Sequence, residues 1–339
     1  MPTRKASTQL LTGYTAESLP QDVLEATAEL SKTLLARMEP IRLFSMMAPP
    51  LSPAPARNVV GVGVGLDADE LVLDIYVVKK FPDSQIQNDE RLPQHFGQRR
   101  TRIRESNFFR LLAAAATGPR EVVRPLVPGL SIGPLSVNTA GTLGGFVTDG
   151  TAKYMLSNNH VLAVGNTVAI GMPVVQPGLY DGGAPTNAVG KLTKFIPFVS
   201  GPEMRVDCAI AQVDDGVDWK NTSGKRAITG HTAPALGMAV EKFGRTTGHT
   251  TGTITSIKFG LNVPFEDRTG KAIELNFVDQ ITIGTSDNTA FADLGDSGSV
   301  VLEKSTAKAV GLVTAGSEAY TLANDIREVL KQLGGLTFA

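Results

Sequence analysis

The chain has 339 residues, long enough for two or three domains. Its net charge of −1 excludes bulk electrostatic attraction to nucleic acid or an anionic membrane, and no apolar run approaches the roughly 18 residues of a membrane span. A single cysteine, Cys208, excludes an intrachain disulfide; with no apolar leader in "MPTRKASTQLLTGYTAESLP", this favours a reducing, cytoplasmic setting.

In chain order, residues 18–47 read as a helix. Ser18 and Gln21 have capping-box spacing, and Val23, Leu30, Leu34 and Met38 share one face before Pro40. That apolar face predicts packing on a partner subunit or on the domain that follows. "APPLSPAPA" (48–56) is a stiff linker, so 1–57 form an N-terminal helical arm. Residues 58–129 read as a small α+β unit with a linker. Strands over 58–66 and 70–79 are joined by the turn Asp67-Ala68-Asp69. Gly61, Gly63 and Gly65 are spaced GxGxG with no helix after them, which fits close packing better than a dinucleotide fingerprint. A short helix over 83–90, a basic strand over 98–105 and a second short helix, "NFFRLLAAAA" (107–116), complete the unit. Arg99, Arg100, Arg102 and Arg104 read as a charge-guarded edge, with an anion patch as the sharper option.

From 130 onward short strands alternate with glycine, asparagine and proline turns. Some dozen strands in two groups of six, split near 214–230, predict a mostly β domain over 130–339. The two groups form antiparallel barrels over about 130–215 and 226–320, and a helix over 322–333 follows.

A hydroxyl nucleophile needs a base, a group that holds the base, and amide donors aimed at the developing oxyanion. "LGDSGSV" places Ser297 between glycines before an apolar strand, where the Gly295 and Ser297 N–H groups can converge. His160 closes the apolar run of "YMLSNNHVLA", and Asp207 precedes the alternating strand "CAIA". Asp214 and Asp215, in a turn, are weaker alternatives for the acid. The order His, Asp, Ser is that of the chymotrypsin type.

"LSNNHVL", "VDCAIA", "GDSGS" and "FGRTTGHTTGTI" (243–254) together resemble the chymotrypsin/trypsin-like serine peptidases over about 131–333. The resemblance implies a double antiparallel β-barrel, peptide-bond hydrolysis by His160, Asp207 and Ser297, and no cofactor or metal. Ser299 stands where the common motif has a second glycine. "VVGVGVG", "RPLVPGLSIG", "AGTLGGFV" and "QPGLYDGG" narrow the likeness to bacterial relatives of the plant Narrow Leaf proteins. The substrate pocket is expected around Phe291 to Leu294 and Thr314 to Gly316. Asp293 suits a basic side chain there, whereas Phe291 suits small or apolar groups.

In secreted relatives the counterpart of Asp296 pairs with an N-terminal amine freed by cleavage. Here the catalytic domain starts deep in the chain and no processing is evident, so Asp296 is expected to hydrogen-bond within its turn or to respond to a partner. His231 and His249 read as surface or core residues, His249 also as a candidate neighbour of the pocket, and Cys208 as an inert buried thiol. The expected partners are a protein or peptide substrate and a second copy or regulator held through residues 1–129; neither nucleic acid nor membrane is expected. A protease-fold scaffold with no catalysis is the alternative.

Overall fold

A computed structural model describes residues 13–35, 54–112, 121–266, 272–287 and 289–339. Among these, two large sheets dominate, one of eight strands and one of twelve. The described residues are mostly β, as expected, with their strands gathered into these two sheets. The eight-stranded sheet is built almost wholly from 131–213, around a core that includes Ile132, Phe146, Met155, Val174, Leu192 and Ala211. The twelve-stranded sheet centres on a long hairpin, Gly248–Glu266 with Ala272–Gly284, and carries Val300–Glu303, Ala309–Gly316 and Thr321–Asp325. Between the sheets, the expected linker holds a small hairpin, Thr222–Ser223 with Arg226–Ala227.

The small N-terminal unit does not stand apart. Strand Val59–Asp67 pairs antiparallel with Gly248–Glu266, placing Val62 opposite Gly260, and Glu70–Val77 and Arg99–Glu105 extend the same sheet. The alternating glycines allow this close approach. A Cβ on Gly61 would lie 2.2 Å from the Phe259 ring, and one on Gly65 would lie 2.0 Å from Asp74 Oδ2. The arginines are consumed by internal ion pairs rather than left as an anion patch: Arg99 with Asp22 (2.6 Å), Arg100 with Asp67, and Arg102 and Arg104 with the buried Asp74 (2.7 and 2.9 Å).

The N-terminal helix runs Gln21–Leu35. Residues 36–47, with Met38 and Pro40, lie outside the described residues. Val23, Leu30 and Leu34 are buried in one apolar cluster with Val62, Val64, Ile257 and Ile281, so the helix covers the second sheet of its own chain. The expected capping box is not formed, because Ser18 closes the preceding turn, accepting from Thr15 N–H at 2.9 Å.

Three further expectations are corrected. The helix over 83–90 is a single 3-10 turn, Asp83–Gln85. The helix over 322–333 begins only at Ile326, because Thr321–Asp325 pairs with Ala309–Gly316 and Asp325 caps the helix through Arg327 N–H at 2.9 Å. The helix over 107–116 is extended backbone through Leu112, with Arg110–Leu111 in a strand; 113–116 lie outside the described residues. In the last two cases strand pairing overrides local helix preference, which amounts to only a few tenths of a kcal/mol per residue. Among the described residues, no helix is long and apolar enough to cross a membrane.

Candidate active site

Strand Lys153–Ser157 pairs antiparallel with Ala209–Val213, putting Ser157 opposite Ala209. The residues just beyond these two ends are therefore neighbours. His160 sits in the helical turn Asn159–Leu162 after the first strand, and Asp207 lies just before the second. His160 Nδ1 hydrogen-bonds Asp207 Oδ2, and His160 N–H donates to Asp207 Oδ1 at 3.2 Å. Thr314 Oγ1, from the other sheet, donates to Asp207 Oδ2 at 2.8 Å. The carboxylate is fully buried, and these three donors offset the loss of its hydration.

The asparagines of "LSNNHVL" hold this corner. Asn158 Nδ2 donates to Asp207 O at 2.6 Å, and Asn159 Nδ2 donates to Ile196 O and Asn166 Oδ1 at 2.7 and 2.8 Å. Asn324 Oδ1 accepts Asp207 N–H at 2.9 Å. Asp214 and Asp215 stay in the turn that follows strand Ala209–Val213. Cys208, just before the strand, is buried in the apolar cluster with Leu156, Leu312 and Val329. Burial, then the adjacent Asp207 charge, push its thiol well up, so it stays protonated and inert.

Ser297 comes from the second sheet, in a turn that only glycine permits at two positions. Gly295 has φ +99° and a Cβ there would lie 2.3 Å from Arg245 Nη1; Gly298 has φ +92° and a Cβ there would lie 2.2 Å from Ser157 Oγ. The first sheet grips this turn: Thr142 N–H donates to Ser297 O and Thr142 Oγ1 to Gly295 O, both at 2.8 Å. Asp296 anchors it from behind, accepting Thr246 N–H at 2.7 Å, Thr247 Oγ1–H at 2.6 Å and Asp293 N–H at 3.0 Å. Its charge is met by Lys242 Nζ at 3.3 Å, with both side chains fully buried. Burial pulls the Lys242 amine below its ordinary value, against the pull of Asp296. Sequence reading missed Lys242, whose only signal is a lysine amid the apolar strand "MAVEKFG".

Ser297 Oγ donates to Thr314 O at 3.3 Å. His160 Nε2, buried, has no hydrogen-bond partner among the described residues. Of the expected pocket residues, Phe291 is buried, Gly316 pairs with Arg110, and Thr314 Oγ1 braces Asp207. Asp293 is exposed, and its Oδ1 accepts the neighbouring Leu294 N–H at 2.7 Å. His249 is half-exposed, stacked on Phe243 (centroids 4.6 Å apart) and paired with Glu241 at 3.1 Å. His231 bridges to Ala309 through its backbone. One residue that the sequence reading left elsewhere does reach the site: Leu112, whose carbonyl oxygen accepts Gly295 N–H at 2.9 Å. Among the described residues, no group of three or more His, Cys, Asp or Glu stands together as a metal site.

No family model matches the chain, and no curated protein matches it. Solved structures similar to it include a glutamic-acid-specific serine protease that uses a histidine triad in substrate binding, at 21% identity and a TM-score of 0.44 over 63% of this chain and 100% of that one. Thermobifida fusca protease A is similar at 18% identity and 0.43, over 63% and 97%. Cellulomonas bogoriensis chymotrypsin is similar at 20% identity and 0.41, over 63% and 97%.

Proposed function

We propose that the chain is a serine endopeptidase acting on protein or peptide substrates through an acyl-enzyme. The observation that carries this reading is His160, whose Nδ1 is held by the buried Asp207 while Nε2 is left without a partner. With Nδ1 committed as donor, Nε2 is the nitrogen free to take a proton. In the proposed mechanism Ser297 Oγ turns from the Thr314 carbonyl to His160 Nε2, gives up its proton and attacks the scissile carbonyl. The Gly295 and Ser297 N–H groups receive the negative charge that develops on that oxygen. His160 then protonates the leaving amine, and water hydrolyses the ester. Asp207 orients the ring and stabilises the imidazolium without itself taking the proton.

No cofactor or metal enters these steps. The narrower likeness to bacterial relatives of the Narrow Leaf proteins supports the architecture rather than any one substrate. The single cysteine supports a reducing, cytoplasmic setting for this activity.

A second reading has one observation in its favour. Ser297 is fully buried and bonded to a backbone carbonyl instead of to His160, as expected of a protease-fold scaffold without catalysis. A fluorophosphonate probe and a peptide-hydrolysis assay separate the two. On the peptidase reading wild type is labelled, Ser297→Ala is not, and kcat falls by about six orders of magnitude in that variant. Wild type that neither reacts nor hydrolyses, where a control serine peptidase does both, leaves the scaffold.

A further inference from the structure

Asp207 lies just before strand Ala209–Val213, outside its ladders. Both of them start at Ala209, which pairs with Ser157 on one side and Phe195 on the other. One further bond, Ile196 N–H to Cys208 O at 3.0 Å, carries the pairing to Cys208. The main chain of Asp207 is held instead by two side-chain amides. Asn158 Nδ2 donates to its carbonyl oxygen at 2.6 Å, and Asn324 Oδ1 accepts its N–H at 2.9 Å. Asn158 comes from the segment of His160, but Asn324 lies in strand Thr321–Asp325 of the twelve-stranded sheet, opposite Leu312. Gln280, in the neighbouring strand Ala272–Gly284, stands behind it. Gln280 Oε1 accepts Asn324 Nδ2 at 2.6 Å, and its Nε2 donates to Arg205 O at 2.9 Å and Val278 O at 2.7 Å. The chain that leads into Asp207 is thus tied to the second sheet at successive points. Glu203–Met204 runs parallel to Asn276–Phe277, Gln280 takes the Arg205 carbonyl, and Asn324 takes the Asp207 N–H.

Asn324 is fully buried and Gln280 is 1% exposed. A buried amide is costly unless its polar atoms are paired, and an aliphatic side chain of similar size avoids that cost. Leu322, Ala323 and Ile326 around Asn324 are all buried and apolar, so packing alone does not call for amides here. What the two amides add is direction, because a satisfied network in a low-dielectric interior fixes the groups that it joins. We propose that Asn324 and Gln280 are positioning residues: from the second sheet they fix the main chain of Asp207 and, through its carboxylate, the ring of His160. His160 bonds that carboxylate through both Nδ1 and its own N–H, so a shift of the Asp207 main chain carries the ring with it. This inference rests on the peptidase reading above.

The effect is graded by distance from the acid. Without Asn324 the Asp207 N–H loses its acceptor outright; without Gln280 that bond remains, but the asparagine and the Arg205 carbonyl lose their support. A misplacement of about 1 Å at a reacting centre costs roughly a hundredfold in rate. The side-chain bonds of both residues run to the 205–207 segment, to Val278 and to each other, not to the serine turn. The loss therefore falls on the chemical step rather than on binding.

The test follows fluorophosphonate labelling of the full chain over a range of probe concentrations, which separates the maximal rate from the half-saturating concentration. The variants are Asn324→Leu, Gln280→Leu and each of these combined with Asp207→Asn, with near-ultraviolet circular dichroism to check the fold. Asn324→Leu is expected to lower the maximal rate about 100-fold and Gln280→Leu about tenfold, with half-saturation within about twofold of wild type. In the Asp207→Asn background neither adds more than about twofold, because the group through which they act is already gone. Labelled wild type, with both variants within about twofold of its rate, overturns this inference and leaves the peptidase reading standing. An undiminished fall in the Asp207→Asn background also overturns it, since a merely structural loss persists there. If Asn324→Leu does not fold, Gln280→Leu, which leaves the Asp207 N–H bonded, decides by the same two measurements. Wild type that is not labelled, where a control serine peptidase is, overturns both readings.

Discussion

The eight-stranded sheet draws all but its last strand from one stretch, 131–213, whereas the twelve-stranded sheet recruits strands from 59–111, 203–204 and 239–325. The first places His160 and Asp207 by pairing two strands that are near in sequence. The second supplies the Ser297 turn and the Thr314 brace on Asp207, and its strand Ala309–Gly316 also pairs with Arg110–Leu111 from some 200 positions upstream. The difference separates two tasks. A compact sheet with local connections holds the proposed base and its orienting acid, while a composite sheet couples the nucleophile to the N-terminal region.

Three substitutions break or sharpen this contrast. The largest effect is expected from Asp207→Asn, at the acid that the first sheet sets beside His160. Its loss of ring orientation lowers kcat about 10⁴-fold with the fold retained, read from steady-state kinetics beside near-ultraviolet circular dichroism. A loss of less than about tenfold means that the first sheet does not preset the base.

Next comes Lys242→Ala, in the second sheet, which leaves the Asp296 charge buried without its partner. Denaturant unfolding is expected to show a loss of about 3–5 kcal/mol. The double variant Lys242→Met, Asp296→Asn recovers part of it, since it removes the stranded charge along with the pair. Equal losses in the single and double variants would show that the bonds from Thr246 and Thr247, not the charge pair, hold the turn.

The smallest effect concerns Asp279, on the long hairpin. Burial opposes its ionisation, but hydrogen bonds from Arg205 and Lys258 outweigh that and hold its carboxyl below the ordinary 3.8. Its contribution is therefore full above that ordinary value and is lost as pH falls below it through the folded-state value. Asp279→Asn removes this part of the acid sensitivity, worth under about 1 kcal/mol for a pair left about a third exposed. Chemical unfolding at pH 7 and pH 3 reads it: the gap between wild type and variant narrows at the lower pH.

The candidate site was readable where its constraints are local. Glycines around Ser297 are demanded by positive φ and by side chains that leave no room for a Cβ, so they stand in the sequence as a motif. The alternation of "CAIA" marks a strand, and its register against Lys153–Ser157 follows from the buried face. Asn158 and Asn159 were visible only as turn residues, since their acceptors, Asp207 O and Ile196 O, are 49 and 37 positions away. Thr314 was read as pocket lining because nothing beside it reveals the carboxylate it meets, 107 positions upstream.

By itself, then, the sequence determined the strand-rich body, the order His160, Asp207, Ser297 and the turn that carries the serine, because each depends on residue type and short-range backbone demands. Only the tertiary structure decided that Lys242 answers Asp296, that the glycines of "GVGVG" admit Phe259 and Asp74, and that "NFFRLL" carries the short strand Arg110–Leu111 rather than a helix. Local preference separates those states by a few tenths of a kcal/mol per residue. Burial of Phe109 and Leu112 and main-chain pairing with a distant edge outweigh it, and neither can be summed until the chain has folded.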